Sequence, residues 1–191
     1  MILLLGGEKG GTGKSTVACN LAVWLAHQGR DVVLIDTDPQ RTASRFVDRR
    51  GTLDSLPRVH CAEKLGNVYD TVRDLAGRYE EVIVDAGGRD SEELRTALVA
   101  SHVLYCPLRA SQPDIETSVH MNELVKLAKG MNPLLQARLL ISLGPTNPAV
   151  HEATEAQQIL GELPEFAMSA IIVRDRKVYR DAMLEGRGVV E

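Results

Sequence analysis

A glycine-rich segment near the N-terminus holds the residues with the clearest chemical meaning in this sequence. Positions 9–16 read Lys-Gly-Gly-Thr-Gly-Lys-Ser-Thr, between an apolar run at 2–5 and a stretch with helical character. Strand, glycine-rich turn and helix form the setting of a phosphate-binding loop, in which backbone N–H groups face phosphate oxygens. Lys14 would reach the β- and γ-phosphates of a nucleoside triphosphate, and the Ser15 hydroxyl would ligate Mg²⁺. The residues predicted to bind the nucleotide here are Gly10, Gly11, Thr12, Gly13, Lys14, Ser15 and Thr16.

Carboxylates follow two further apolar runs. Asp36 and Asp38 come directly after residues 32–35, and two carboxylates at i and i+2 point the same way if the strand geometry persists. One could then hold the water shell of Mg²⁺ while the other faces the γ-phosphate. Such a pair alone is a weak signal, because Asp also forms turns and helix caps, but its place one strand–helix unit after a phosphate loop favours a metal site. Residues 81–85 read as an apolar strand ending in Asp85, an acid expected to hold the metal through water.

The elements that must position these residues alternate along the chain. Strands are predicted at 2–5, 32–35, 82–84, 103–106, 139–143 and 170–173, with a short edge strand around 59–61. Helices are predicted at 15–28, 41–49, 68–79, 91–100, 115–129, 152–160 and 177–184. Strands that read as continuous apolar runs are typical of a sheet covered on both faces. The prediction is an α/β fold, a mainly parallel sheet with helices on both faces, whose ligands lie at the carboxyl ends of the strands.

Length and composition restrict the class of protein. A chain of 191 residues is expected to form one domain over 1–191 with its own core. The net charge of −4 gives no overall attraction to nucleic acid, so any such contact must come from a local patch. Cys19, Cys61 and Cys106 lack metal-ligand spacing and are expected to be free thiols in a reducing cytoplasm. No apolar stretch approaches the roughly 20 residues needed to span a bilayer, so a cytoplasmic protein is expected.

Two departures from the standard phosphate loop are informative. Glu8 stands where glycine is usual, and Lys9 adds a second lysine five residues before Lys14. This string resembles the deviant Walker A motif of the ParA/MinD family of P-loop ATPases. The sequence D-T-D-P-Q at 36–40 resembles the switch I of that family, and the strand ending at Asp85 with the following glycines resembles its Walker B motif and switch II, without the proline common there. The resemblance implies the P-loop NTPase fold and ATP with Mg²⁺ as cofactors.

The resemblance also implies roles for single residues. Lys9 would cross a dimer interface and contact the phosphates held by a second copy. Asp38 would position the attacking water, while Asp36 would support the Mg²⁺ held by Ser15 and Asp85. Hydrolysis would then rest on positioning and charge neutralisation, with Lys9, Lys14 and Asp38 as its catalytic residues.

Small ParA-type partition ATPases resemble this chain over its whole length. The resemblance implies a nucleoid-associated ATPase whose ATP-bound homodimer binds DNA without sequence preference, with slow hydrolysis stimulated by a ParB-like adaptor and no membrane partner. A basic segment near the C-terminus could supply the salt-sensitive phosphate contacts, although such segments are more often solvated faces. The residues predicted to contact DNA are Arg174, Arg176, Lys177 and Arg180.

Three segments allow two interpretations each. The loop at 107–114 could lie at a dimer interface or could simply begin a helix. In the loop at 144–148, Asn147 could contact adenine, or the two prolines could only shape a turn. Arg41, Arg45, Arg49 and Arg50 have helical spacing and form most simply a solvated helix face, which could also assist a DNA or adaptor contact.

Other functions share the phosphate loop. A MinD-like ATPase at a membrane or scaffold would need an amphipathic C-terminal helix, and glycines interrupt this ending. An iron–sulfur reductase would need a second cysteine in switch II, and a ligase of the dethiobiotin synthetase type would leave D-T-D-P-Q unexplained. An ATP-gated switch that binds a protein rather than DNA is the non-enzymatic alternative.

Overall fold

The computed structural model describes residues 1–147 and 152–191, which form seven strands and seven helices. The strands are β1 (Ile2–Leu5), β2 (Val32–Asp36), β3 (His60–Glu63), β4 (Glu81–Asp85), β5 (Val103–Leu108), β6 (Gln136–Gly144) and β7 (Ala167–Arg174). The helices are α1 (Lys14–His27), α2 (Thr42–Arg50), α3 (Tyr69–Ala76), α4 (Glu92–Ala100), α5 (Gln112–Met131), α6 (Glu152–Leu160) and α7 (Lys177–Glu185). Among the described residues, no helix combines the length and apolar character that crossing a membrane requires.

All seven strands belong to one parallel sheet in the order β3-β2-β4-β1-β5-β6-β7. The last residue of β1, Leu5, is level with Asp85 of β4 and with Tyr105 of β5. Asp36 of β2 is level with Asp85 in turn. The loops after β1, β2, β4 and β5 therefore leave the sheet at one edge, and the predicted parallel α/β fold is confirmed.

Helices cover both sheet faces because successive strand residues point in opposite directions. Ile2 and Leu4 belong to a core layer shared with α3, α4, α5 and α6. Leu3 and Leu5 belong to a second layer shared with α1 and α2, on which α7 packs through Met183. The continuous apolar runs in the sequence follow from this double burial.

The ends of several elements differ from the prediction. β6 begins at Gln136 rather than 139, and its first residues alternate between exposed Gln136 and Arg138 and buried Ala137 and Leu139. Only one face of the sheet is covered at this point, so the strand alternates polar and apolar residues and its start is missed by a search for apolar runs. The short edge strand predicted around 59–61 is confirmed as β3.

The C-terminal residues return to α1 and α2 through an ion pair that the sequence did not indicate. Arg50 and Glu191 are each only 3% exposed at the side chain, and their contacts include one of 2.8 Å. Glu191 also accepts a hydrogen bond from the Gly188 backbone and contacts His27 Nε2 at 2.6 Å. The expectation of a fully solvated arginine face is thus wrong for Arg50, because the tail supplies a buried acid.

Candidate functional site

The phosphate loop ends at a helix start whose backbone donors are open to a ligand. Gly13 caps α1 with φ 86°, and the helix has no side-chain cap. Gly11 also lies in the left-handed region, with φ 69°, a conformation that glycine adopts without strain. The first N–H groups of a helix lack intrahelical partners and carry its positive dipole end. The start of α1 is therefore an anion site of the kind that binds phosphate.

Lys14 lies inside this loop rather than at its surface. Its side chain is buried, with 6% of the residue exposed, and its Nζ donates a hydrogen bond of 2.6 Å to the Lys9 carbonyl. Burial lowers the pKa of Lys14, and the charge of Asp85 opposes that effect. A phosphate oxygen at the loop would give this ammonium a charged acceptor in place of a backbone carbonyl.

Asp85 tests whether the site fits a metal ion. The residue is fully buried, and neither carboxylate oxygen has a hydrogen-bond partner among the described residues. Burial raises the pKa of Asp85 to about 7, although the nearby Ser15 hydroxyl and Lys14 ammonium lower it. A buried carboxylate without a partner is costly, and a hydrated Mg²⁺ beside Ser15 would provide the missing charge and donors. The residues present therefore fit Mg²⁺ with ATP.

Asp36 and Asp38 differ in what they contact. Both oxygens of Asp36 accept backbone hydrogen bonds, from Asp38 N at 3.1 Å and from Ser44 N at 2.8 Å. Asp36 thus orders the loop after β2 and the start of α2, and its support of Mg²⁺ stays a prediction. Asp38 is half-buried, and one of its oxygens accepts a hydrogen bond from Gln40 N. Its carboxylate lies beside Gly87. Both residues are at the sheet edge where the γ-phosphate is predicted to bind.

The loop after β4 rests directly on the phosphate loop. A Cβ atom added at Gly88 would lie 2.6 Å from the Gly10 Cα and 2.9 Å from the Lys9 carbonyl carbon. Only glycine allows this approach without movement of one backbone. The two loops therefore touch in this structure, and any residue larger than glycine at 88 would separate them.

Two residues that sequence reasoning missed support the phosphate loop from neighbouring strands. The buried Ser142 hydroxyl of β6 donates to the Thr12 carbonyl, and Arg109, after β5, donates to the Gly11 carbonyl at 2.7 Å. Arg109 belongs to the loop at 107–114, so that loop does more than begin α5. The sequence signal that could have identified Ser142 and Arg109 was their position, in or directly after a strand whose end lies at the shared edge.

A cavity of about 260 Å³ adjoins the phosphate loop, and its position suits the nucleoside of a bound nucleotide. Gly13 and Thr16 form one wall, and residues of β7, α7 and the turn between them form much of the rest. The lining includes Tyr179, which offers a ring for stacking on a base. Asn147 lies at the exposed end of the loop after β6 and is not among the lining residues, while Pro148 lies outside the described residues. The adenine contact of Asn147 stays a prediction.

The four residues predicted to contact DNA have different surroundings. Arg174 donates to the Pro145 carbonyl, Arg180 pairs with an aspartate, and both line the cavity together with Arg176. Lys177 pairs with Asp181 at 2.8 Å. In the part of the chain that the structure describes, Arg176 alone of the four has no hydrogen bond or ion pair through its side chain. The basic segment is therefore divided between the cavity wall and the outer surface.

Comparison with known proteins agrees with this geometry. A family model described as the CobQ/CobB/MinD/ParA nucleotide binding domain matches residues 3–182. The maintenance of carboxysome distribution protein A of Gloeobacter kilaueensis is 33% identical over 184 residues, covering 96% of this chain and 81% of that protein. The chromosome-partitioning ATPase Soj of Thermus thermophilus is 26% identical, with 81% and 74% covered.

Solved structures show the same fold at lower identity. Apo McdA from Cyanothece superimposes with a TM-score of 0.81 at 16% identity, covering 99% of this chain and 91% of that one. Cobyrinic acid a,c-diamide synthase from Mycobacterium smegmatis, with a bound ATP analogue and magnesium, gives a TM-score of 0.75 at 18% identity, with 95% and 92% covered. With a site that fits ATP and Mg²⁺ and a family match over most of its length, this chain belongs to the CobQ/CobB/MinD/ParA family of nucleotide-binding domains.

Proposed function

We propose that this chain is an ATP-hydrolysing switch of the partition type, which dimerises around ATP and positions its cargo on DNA. The observation that carries the proposal is the contrast between the two lysines of the phosphate loop. Lys14 is buried and bound to the Lys9 carbonyl, whereas the Lys9 side chain is exposed. An exposed lysine at the rim of a phosphate site is available to a nucleotide held by a second copy.

The residues at the sheet edge divide the work of hydrolysis. When bound, ATP would supply the reacting phosphoryl group, and Mg²⁺ would neutralise part of its negative charge. Lys14 neutralises charge from within its own chain, and Lys9 does so across the dimer. Asp38 orients the attacking water, since its carboxylate accepts a hydrogen bond from the Gln40 backbone N–H and lies beside Gly87. The rate gain comes from positioning and electrostatic stabilisation.

DNA binding is the finer part of the proposal. The names of similar proteins include chromosome partitioning and carboxysome distribution, so positioning of a cargo is the common theme. The Arg176 side chain, which has no ion pair among the described residues, and the exposed Lys177, which pairs with Asp181, offer phosphate contacts that a dimer would double. Such contacts would be salt-sensitive and independent of base sequence. An adaptor of the ParB-like class would stimulate hydrolysis and release the dimer.

The dimer is tested with Lys9→Ala, measured by light scattering with ATP, ADP or no nucleotide. The wild-type protein should form dimers only with ATP, and Lys9→Ala should remain monomeric in all three nucleotide states. Lys126→Ala, an exposed lysine on α5, is the matched control and should dimerise normally. Normal ATP-dependent dimers and normal phosphate release by Lys9→Ala would overturn the cross-subunit role.

A second experiment separates hydrolysis from dimerisation. Asp38→Ala should abolish phosphate release while it preserves ATP-dependent dimers, because the carboxylate acts on water rather than on nucleotide binding. Normal hydrolysis by Asp38→Ala would show that another group positions the water.

DNA binding is tested with random-sequence duplex DNA across a salt series in the same three nucleotide states. Binding should require ATP and weaken steeply with salt, and the double variant Arg176→Ala/Lys177→Ala should reduce both the affinity and the salt slope. Lys126→Ala again serves as the control. No DNA binding with intact dimers would favour the alternative, a MinD-like switch at a membrane or protein scaffold, for which liposome binding is the next measurement.

A further inference from the structure

We propose that Glu8, Asp90 and His120 form a binding site for Zn²⁺. One ligand atom from each of these residues lies within 4.8 Å of the others, and His120 Nδ1 lies 2.7 Å from Glu8 Oε1. Glu8 comes from the loop after β1, Asp90 from the loop after β4 and His120 from α5. Three separate elements thus bring their donors to one point beside the nucleotide site.

The donor set selects the class of metal. Mg²⁺ takes oxygen ligands almost exclusively, whereas Zn²⁺ binds imidazole nitrogen and carboxylate oxygen together. One histidine with two carboxylates gives three protein ligands and leaves a fourth position to water. The site is therefore chemically distinct from the Mg²⁺ position at Ser15 and Asp85.

The surroundings hold the ligands and leave negative charge. Both oxygens of Asp90 accept hydrogen bonds from Arg95, at 2.7 and 2.5 Å, which fixes the carboxylate as outer-shell partners do at metal sites. The Glu8 side chain is only 13% exposed, so it faces the cluster rather than bulk water. The two carboxylates and the Arg95 guanidinium sum to a single negative charge, which attracts a cation.

The described cysteines do not belong to this donor cluster. Burial raises the pKa of Cys61 to about 11 and that of Cys106 to about 12, and it raises the pKa of Cys19 as well.

The position of the site gives metal binding a consequence for hydrolysis, an inference that rests on the proposed function. Glu8 directly precedes Lys9, and Asp90 follows Gly88, whose backbone touches Gly10. A Zn²⁺ ion bound to both carboxylates would fasten the two loops together. Movement of the loop after β4, which the predicted switch requires, would then be opposed, and hydrolysis would slow.

The binding step is tested by isothermal titration calorimetry of nucleotide-free protein with Zn²⁺ alone. We expect one ion per chain, with the affinity reduced at least about tenfold in His120→Gln and in Asp90→Asn. His60→Gln is the matched control, because His60 is exposed on β3 and its ring contacts Tyr79 instead. Absence of binding, or unchanged binding in both site variants, would overturn the proposal.

The consequence is tested by phosphate release at fixed Mg²⁺ and ATP while Zn²⁺ is added. We expect Zn²⁺ to lower the rate of phosphate release severalfold in the wild-type protein and in His60→Gln. The rate of His120→Gln should not change when Zn²⁺ is added. Zn²⁺ binding that leaves hydrolysis unchanged would overturn the coupling. If the protein released no phosphate even without Zn²⁺, the proposed function would fail, while the calorimetry would still decide whether the metal site exists.

Discussion

Two buried carboxylates, one at the end of β4 and one at the C-terminus, have opposite environments. Asp85, at the end of β4, is fully buried, and in the part of the chain that the structure describes neither of its oxygens has a hydrogen-bond partner. Glu191 is almost as buried at its side chain, but it contacts Arg50, His27 and the Gly188 backbone. Burial raises the pKa of Asp85 to about 7. Burial acts in the same direction on Glu191, but hydrogen bonds from its partners outweigh it and lower the pKa to about 2.

The difference is the one expected between a carboxylate that binds a ligand, as proposed for Asp85, and one that stabilises the fold. A carboxylate used only in structure is expected to have its charge and lone pairs satisfied within the chain. A buried carboxylate that lacks those partners raises the free energy of the unliganded protein. A bound cation supplies the missing charge and removes that cost. The unpartnered oxygens of Asp85 therefore point to the metal role more directly than its place in a sequence motif does.

The largest expected effect comes from removing the charge of Asp85. Asp85→Asn should lower the rate of ATP hydrolysis by at least about 100-fold, because the carboxylate proposed to hold the hydrated metal is lost. Phosphate release at saturating Mg²⁺ and ATP measures this. Asp31→Asn, the same chemical change at an exposed position, should leave the rate unchanged. A rate within a few fold of normal in Asp85→Asn would remove Asp85 from the metal site.

Breaking the satisfied pair should reduce stability instead. Arg50→Met leaves the Glu191 carboxylate buried without its main cation, and loss of one partner of a buried ion pair costs about 3–5 kcal/mol. Urea unfolding of the nucleotide-free protein measures the change. The double variant Arg50→Met/Glu191→Gln should recover part of that loss, because no charge is left unpaired. A single variant as stable as the unchanged protein would show that the tail leaves its place at little cost.

The pH dependence of stability should differ in sign between the two acids. The pKa of Asp85 rises from 3.8 to about 7 on folding, so Asp85 stays protonated up to a higher pH in the folded than in the unfolded protein. Stability therefore falls as pH rises through that range, by at most about 4 kcal/mol. The pKa of Glu191 falls from 4.5 to about 2, so its contribution is complete above 4.5 and is lost as pH falls towards 2.

Variants assign each slope to its residue. In thermal unfolding of the nucleotide-free protein, Asp85→Asn should raise the melting temperature at pH 8 more than at pH 5. Glu191→Gln should flatten the decline on the acid side. Equal shifts of Asp85→Asn at both pH values would contradict the raised pKa.

The sequence reveals these two acids unequally, and the reason is physical. Asp85 ends an apolar run one unit beyond a phosphate loop, so local pattern and fold class together predict its place. The partner of Glu191 is 141 residues away, and no local preference of either residue encodes that contact. The same holds for Glu8 and His120, which are 112 residues apart.

The basic C-terminal segment shows the same limit in another form. Charge spacing identifies Arg174, Arg176 and Arg180 as a cluster, but it does not say which surface they form. Their place in the cavity wall follows from β7 joining the sheet beside β6 and from the turn into α7 returning towards α1. Those are tertiary contacts, and single-residue propensities do not carry them.

Asp114 lies between the two extremes and should show the smallest effect. It is buried at the start of α5, where one oxygen accepts a hydrogen bond from Ser111 and the other has no hydrogen-bond partner in the described ranges 1–147 and 152–191. Asp114→Asn removes an unpaired charge, but it also removes a favourable anion from a helix N-terminus, which is worth about 0.3–1 kcal/mol. We expect a net change in unfolding free energy below about 1 kcal/mol in urea titrations of nucleotide-free protein. Destabilisation clearly above that value would show that the carboxylate has a cationic partner in solution. Lys14 is the candidate, because burial lowers the pKa of Lys14 and the negative charge of Asp114 opposes that effect. Asp114 would then resemble Glu191, whose charge is paired, rather than Asp85.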